Sequence, residues 1–216
     1  MRSYVLPLLV VSNSILFSSA QAAIVINITE SGSDVAVSGS GSYNLGDLTA
    51  AGNIFSAASV TPSGGNYRVI VDGTNAGVIT RYDGASLTGP DSIGDGTALV
   101  NATSGTGDLF GFWGNNDLEL LVPNGYTSGA ALEGTSTYTN SSFDSMGLTE
   151  GTYTFSWGSG GNADTLTVNV GDVAIPEPGS LLLGGLTGTG MALGVLRRRR
   201  RRKPAERNAG NNRSEA

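Results

Sequence analysis

From Ile24 onward, apolar and polar residues alternate with a period of two, and Gly, Asp, Asn or Ser interrupts the pattern every eight to twelve residues. Successive side chains of a strand point to opposite faces, so this pattern predicts half-buried β-strands. The predicted strands lie near residues 24–28, 33–38, 67–71, 78–82, 98–102, 109–113, 118–122, 131–139, 152–157 and 165–170. Helical periodicity is convincing nowhere in this body. Many short strands at turn spacing predict an all-β fold, an antiparallel sandwich or jelly-roll-like ectodomain over residues 23–172.

The clearest element is 152–157, where Tyr153, Phe155 and Trp157 share one face. Residues 158–162 read as a loop, and Leu166, Val168 and Val170 again share a face, so the two segments predict a hairpin that closes the domain. Asp72-Gly73, Asp83-Gly84 and Asp95-Gly96 read as two-residue turns that punctuate the strands, because Gly and Asp tolerate positive φ.

The two ends break the alternation. Residues 1–22 carry Arg2, an apolar run through Leu6, Leu8, Leu9, Val10, Val11, Ile15, Leu16 and Phe17, and then Ala20-Gln21-Ala22. This predicts a signal peptide that engages the Sec translocon and is cut by signal peptidase, leaving Ala23 as the mature N-terminus. The other end, 173–203, holds Pro176-Glu177-Pro178, a stretch 179–196 without charge, and the cluster Arg197, Arg198, Arg199, Arg200, Arg201, Arg202 and Lys203. Eighteen residues in a helix span roughly 27 Å, just enough for a hydrocarbon core of about 30 Å. Five glycines and two threonines in its interior weaken its apolar drive, which suits a transient transmembrane anchor in the inner membrane. The basic cluster would stay cytoplasmic and place the body outside. Residues 204–216 then form a polar cytoplasmic tail. The paired prolines hold the chain extended, as a processing enzyme requires.

This layout resembles the PEP-CTERM sorting signal of exopolysaccharide-producing Gram-negative bacteria, with Pro176, Glu177 and Pro178 matching the motif directly. The resemblance implies an exosortase as partner, a membrane protease-transpeptidase that removes the anchor and delivers the body to the cell surface or extracellular matrix, in a structural or interaction role tied to exopolysaccharide and biofilm. The tail beyond Lys203 departs from the family, whose members usually end near their arginines. A stretch from Leu121 to Val170 is also similar to body regions of such proteins, through the phrases at 147–154 and 157–160. No activity attaches to that likeness.

Composition narrows the chemistry further. The 216 residues include no Cys and no His, which removes disulfides, thiolate and imidazole metal sites, Cys nucleophiles and any Ser-His-Asp triad. The expectation is a protein that is not an enzyme and has no cofactor. Between residues 23 and 175, fifteen Asp or Glu face only Arg68 and Arg81, a net charge of −13. Nucleic acid is thereby a poor partner, since binding it depends on cations that neutralise phosphate. The C-terminal basic run, placed directly after an apolar segment, reads as a topological flank.

The remaining candidates are carboxylates and aromatics. Asp91, Asp95 and Asp117 lie in oxygen-rich segments that offer ligands for Ca2+. Trp113 and Tyr126 are candidate platforms for sugar stacking, whereas Tyr153, Phe155 and Trp157 read as core. A carbohydrate- or calcium-binding adhesin module is therefore the alternative reading. Asp117 and Glu119, two apart on a strand, share a face and provide the distant alternative of a carboxylate-dependent glycoside hydrolase. Asn27, Asn101 and Asn140 begin Asn-x-Ser/Thr sequences, which in a bacterium are ordinary strand and turn residues.

Overall fold

In the computed structural model the alternation becomes two β-sheets. The structure describes residues 23–72, 76–115 and 117–172. Ala20 and Ala22 of the expected signal peptide, the Pro176-Glu177-Pro178 motif, the stretch 179–196 and the basic cluster lie outside the described residues. Among the described residues no helix is long and apolar enough to cross a membrane.

Thirteen strands follow one another among the described residues: β1 Ala23–Ser31, β2 Asp34–Gly41, β3 Thr49–Ser56, β4 Ser59–Thr61, β5 Tyr67–Val71, β6 Gly77–Asp83, β7 Val100–Asn101, β8 Ser104–Gly107, β9 Phe110–Asn115, β10 Asp117–Pro123, β11 Leu132–Tyr138, β12 Gly151–Trp157 and β13 Asp164–Val170. One sheet has the order β12-β13-β1-β2-β11-β8, the other β3-β6-β10-β9-β5-β4-β7. Among the described residues every strand pairing is antiparallel except β1 with β13, which runs parallel from Ala23↔Thr165 to Ile28↔Val170.

The inward faces of the two sheets share one core. Ile24, Ile26 and Ile28 of β1 and Leu166, Val168 and Val170 of β13 pack in the same cluster as Val69 and Val71 of β5 and Phe110 and Phe112 of β9. This is the sandwich-like arrangement that the period-two pattern predicts, because alternate residues of each strand meet across the layers. Ile70, Ile79, Leu109 and Leu121, at the opposite phase of their strands, form a second cluster on the other side of the seven-stranded sheet.

The predicted closing hairpin is present. β12 pairs with β13 from Gly151↔Val170 to Trp157↔Asp164, with a short 3-10 turn at Gly160–Asn162 between them. Its second strand lies beside the first strand of the domain, a long-range closure that local patterning does not disclose. The connection from β2 to β3 crosses between the sheets and is pinned as it does so. Tyr43 is fully buried and its hydroxyl donates to the Gly111 carbonyl at 3.0 Å. Trp157 Nε1 donates to the Asn44 carbonyl at 2.7 Å, and the Asn44 N–H donates to Asp164 at 2.7 Å.

Several expectations need correction. β3, β4 and β8 were not predicted, and the expected strand at 98–102 shrinks to Val100–Asn101. One helical turn occurs, α1 Phe143–Met146, held by a reciprocal Ser142–Ser145 capping box and closed by Gly147 at φ 69°. None of the three Asp-Gly pairs makes a two-residue hairpin. β5 and β6, which flank Asp72-Gly73, are separated in the sheet by β9 and β10. Asp83 ends β6, but that strand pairs with β3 and β10. Asp95 and Gly96 instead donate their N–H groups to the Gly147 carbonyl, docking their loop on the end of α1.

Candidate functional site

The segment from Gly84 to Gly96 borders a surface depression, and each of its fixings is local chemistry. The Leu87 N–H donates to the Gly84 carbonyl and buries the leucine. Thr88 then exchanges both backbone hydrogen bonds with Ser156, at 2.9 and 2.8 Å, covering part of the edge of β12. Gly89 lies directly on the core ring of Phe155, where a Cβ would come within 2.2 Å of Cδ1, so no larger residue fits. Farther along, buried Ile93 donates to the Pro62 carbonyl and accepts from the Thr149 N–H.

This pinned segment faces the β9–β10 hairpin and the loop before β5. Between them is a depression of about 350 Å3 whose lining includes Tyr67, Thr88, Asp91 and Asp117. A second depression of about 400 Å3 is lined by Asp83, Gly84 and Ala85. The two share Leu87, Asp117 and Leu118 and so form one groove. Its lining, which includes Asp83, Asp91 and Asp117, comes from three separate stretches of chain, 64–67, 83–91 and 114–118.

The electrostatics are one-sided. Arg81, the nearest cation in sequence, pairs with Glu119 at 3.1 Å and also donates to the Ala51 carbonyl at 3.0 Å. No cation among the described residues lies within ion-pair distance of Asp83, Asp91 or Asp117. Burial raises the Glu119 pKa; Arg81 opposes the rise, and the Asp83 and Asp117 charges add to it. Tyr67 is only 3% exposed, and its hydroxyl has no hydrogen-bond partner. Burial pushes its pKa up, with Tyr153 and then Asp91 adding to the shift, so the phenol stays protonated at any physiological pH.

The expected calcium set is not assembled. Asp91 and Asp117 border the same depression, but Asp95 sits against Gly147, whose Cβ position is 3.1 Å from Asp95 Oδ1. Among the described residues no group of three carboxylates is placed to hold a metal ion. Asp117 and Glu119 do share a strand, yet Asp117 is at the groove rim while Glu119 is committed to Arg81.

The two aromatic platforms have other neighbours. Arg68 and Arg81 place their guanidinium carbons 5.3 and 6.0 Å from the ring centroid of Trp113. Both cations of the domain therefore gather on one indole, an arrangement attractive through the ring quadrupole. Tyr126 meets Tyr43 edge-on at 6.4 Å, donates its hydroxyl hydrogen to the Ala130 carbonyl at 2.6 Å and accepts from the Tyr43 N–H at 2.9 Å. Its role is to hold the crossing segment.

Tyr67, Asp83 and Thr88 belong to the groove but did not stand out in the sequence. Asp83 reads there as half of a turn and Tyr67 as a strand residue, and only the tertiary fold brings them to Asp117. Neither protein-family models, curated proteins nor solved structures give a match to this chain.

Proposed function

We propose that this chain is the precursor of an exported protein of the Gram-negative cell surface or extracellular matrix, in which the β domain is the working part and the two ends are its address. Signal peptidase cuts before Ala23 once the chain has entered the Sec translocon. The stretch 179–196 halts in the inner membrane with Arg197–Arg202 on the cytoplasmic side, and an exosortase processes the chain at Pro176-Glu177-Pro178. The mature body serves a structural or interaction role in the exopolysaccharide matrix and acts by binding, not catalysis.

The observation that carries this reading is the ordered C-terminal triad of paired prolines, apolar stretch and seven consecutive cations. Each part supports the same topology: the cations fix orientation, the weak apolar segment allows only a temporary stop, and the prolines present an extended cleavage site. The acidic, Cys-free and His-free body adds support, because it has neither thiol nor imidazole for nucleophilic or triad chemistry and keeps a charge that favours solubility outside the cell.

Cell fractionation tests it. In a host with an exosortase the body is expected in the surface or medium fraction, and in the same host with the exosortase gene deleted it is expected in the inner-membrane fraction. Identical distribution in the two strains would contradict the proposal.

A second reading, a carbohydrate-binding adhesin module, is favoured by the groove beside Asp117. It is compatible with the first, since a matrix protein must hold on to something.

A further inference from the structure

The chain leaves β10 through a tight turn, Pro123-Asn124-Gly125-Tyr126, closed by the Tyr126 N–H donating to the Pro123 carbonyl at 3.0 Å. Gly125 has φ 80° while Asn124 keeps a negative φ, the geometry of a type II turn, whose central peptide takes no part in the closing hydrogen bond. Asn124 and Gly125 are both exposed, and a Cβ on Gly125 would meet nothing within 4 Å. Neither the Gly125 N–H nor the Asn124 side-chain amide has a hydrogen-bond partner among the described residues.

No other asparagine in the sequence precedes a glycine. Elsewhere the following side chain crowds the approach of the next backbone nitrogen to the carboxamide carbon. Several of those amides are also tied down: Asn44 Nδ2 donates to the Gly161 carbonyl at 3.2 Å, Asn162 Nδ2 to Asp47 at 2.6 Å and Asn169 Nδ2 to Asn27 at 2.9 Å. At Asn124 both restraints are missing. Glycine accepts either sign of φ, so the central peptide of this turn is free to rotate and bring its nitrogen against the carboxamide.

We propose that Asn124 is a site of spontaneous covalent modification, with the chain's own backbone as nucleophile and water as co-reactant. The Gly125 nitrogen forms a bond to Asn124 Cγ and the Cγ–Nδ2 bond breaks. The departing nitrogen takes the Gly125 amide proton and leaves as ammonia, which closes a cyclic imide. Water then opens the ring at one of its two carbonyls, its hydroxyl going to the carbon and its remaining proton to the nitrogen. Opening at Cγ gives aspartate, opening at the main-chain carbonyl gives isoaspartate, and nothing is oxidised or reduced. Either product adds a negative charge to an acidic body. Isoaspartate also inserts a methylene into the main chain just ahead of Tyr126, whose hydroxyl accepts from the Tyr43 N–H at 2.9 Å and donates to the Ala130 carbonyl at 2.6 Å. The modified turn therefore loosens the grip on the segment that crosses between the sheets, and each molecule carries a chemical record of its age.

The test is to hold the full chain in mild detergent, in weakly alkaline and weakly acidic buffer, and to follow its asparagines by chymotryptic peptide mapping. Asn124 is expected to lose its amide at least about tenfold faster than Asn101 or Asn140, exposed asparagines followed by Ala and Ser, a barrier difference of about 1.4 kcal/mol. The alkaline buffer should speed the loss, because the attacking nitrogen must give up its proton, and isoaspartate should appear together with aspartate. Asn124→Gln, which would have to close a larger ring, should keep its amide and its melting temperature through the same incubation, while the aged wild type melts lower than fresh protein.

An Asn124 that reacts no faster than Asn140, or that yields aspartate without isoaspartate as direct side-chain hydrolysis does, would overturn the assignment. So would loss of the amide from Asn124→Gln at the wild-type rate. Fully converted wild type that melts with fresh protein would refute the link to Tyr126.

Discussion

Gly39 of β2 faces Gly134 of β11 across a strand pair, and the ring of Phe110 from the other sheet presses into the gap they leave. A Cβ on Gly39 would lie 2.8 Å from Phe110 Cζ. Gly39→Ala is therefore expected to cost about 1–3 kcal/mol through overpacking, seen as a lower urea midpoint at unchanged slope. An unchanged midpoint would show that the ring can yield. Asp47 offers a test on the pH axis. Hydrogen bonds from Asn162 and then Ser159 hold its carboxyl below the ordinary value, against a smaller opposing effect of desolvation. A depressed folded pKa contributes stability above the unfolded value of about 3.9, and that contribution is lost as pH falls through the folded pKa. Asp47→Asn should thus melt below wild type at neutral pH, and the gap should close as acid protonates Asp47; a gap independent of pH would refute the assignment. At this scale the sequence was readable where a residue's role is set by its phase in a strand, as with inward Phe155 and Trp157. It was unreadable where the role depends on a distant partner. Gly39 looks like any turn glycine until Phe110 is placed opposite it.

Among the elements, β1 lies in the middle of its sheet, between β13 and β2. Its inward residues Ile24, Ile26 and Ile28 are fully buried. Ile26→Ala is expected to destabilise the domain by about 2–5 kcal/mol, measured by chemical denaturation. A loss below 1 kcal/mol would place β1 outside the cooperative unit. The strand begins at Ala23, directly at the expected signal-peptidase cut, so the mature chain would enter the sheet without a leader. Strands with strong alternation, such as β1 and β12, were legible because burial on one face demands it. β3 was not, because its sequence Thr-Ala-Ala-Gly-Asn-Ile-Phe-Ser lies at a sheet edge, mostly exposed and bulged between Ala50 and Gly52. β8, Ser-Gly-Thr-Gly, has no apolar residue at all and is held by backbone pairing to β11. The Asp-Gly pairs misled for a related reason. Turn chemistry marks where a strand ends but not which strand follows it in the sheet.

For the whole molecule, charge is the property with the widest reach. A domain carrying −13 repels itself in the compact state, and salt screens that repulsion. Its melting temperature should rise between about 10 mM and 0.3 M sodium chloride, where the Debye length falls from about 30 Å to below 8 Å. A fall would mean that favourable pairing, as at Arg81–Glu119, outweighs the self-repulsion. The acidic groove and the basic C-terminal cluster are opposite in sign, and under the proposed topology the membrane separates them until processing. That separation rests on the proposed sorting signal, so the most direct measurement is the intact mass of the protein recovered from its native cell surface, for wild type and for Glu177→Ala. The account predicts a wild-type mass that starts at Ala23 and ends near Pro176, with the variant still carrying its C-terminal segment. An intact tail to Ala216 on both would contradict it and leave a β domain that is simply anchored in the membrane.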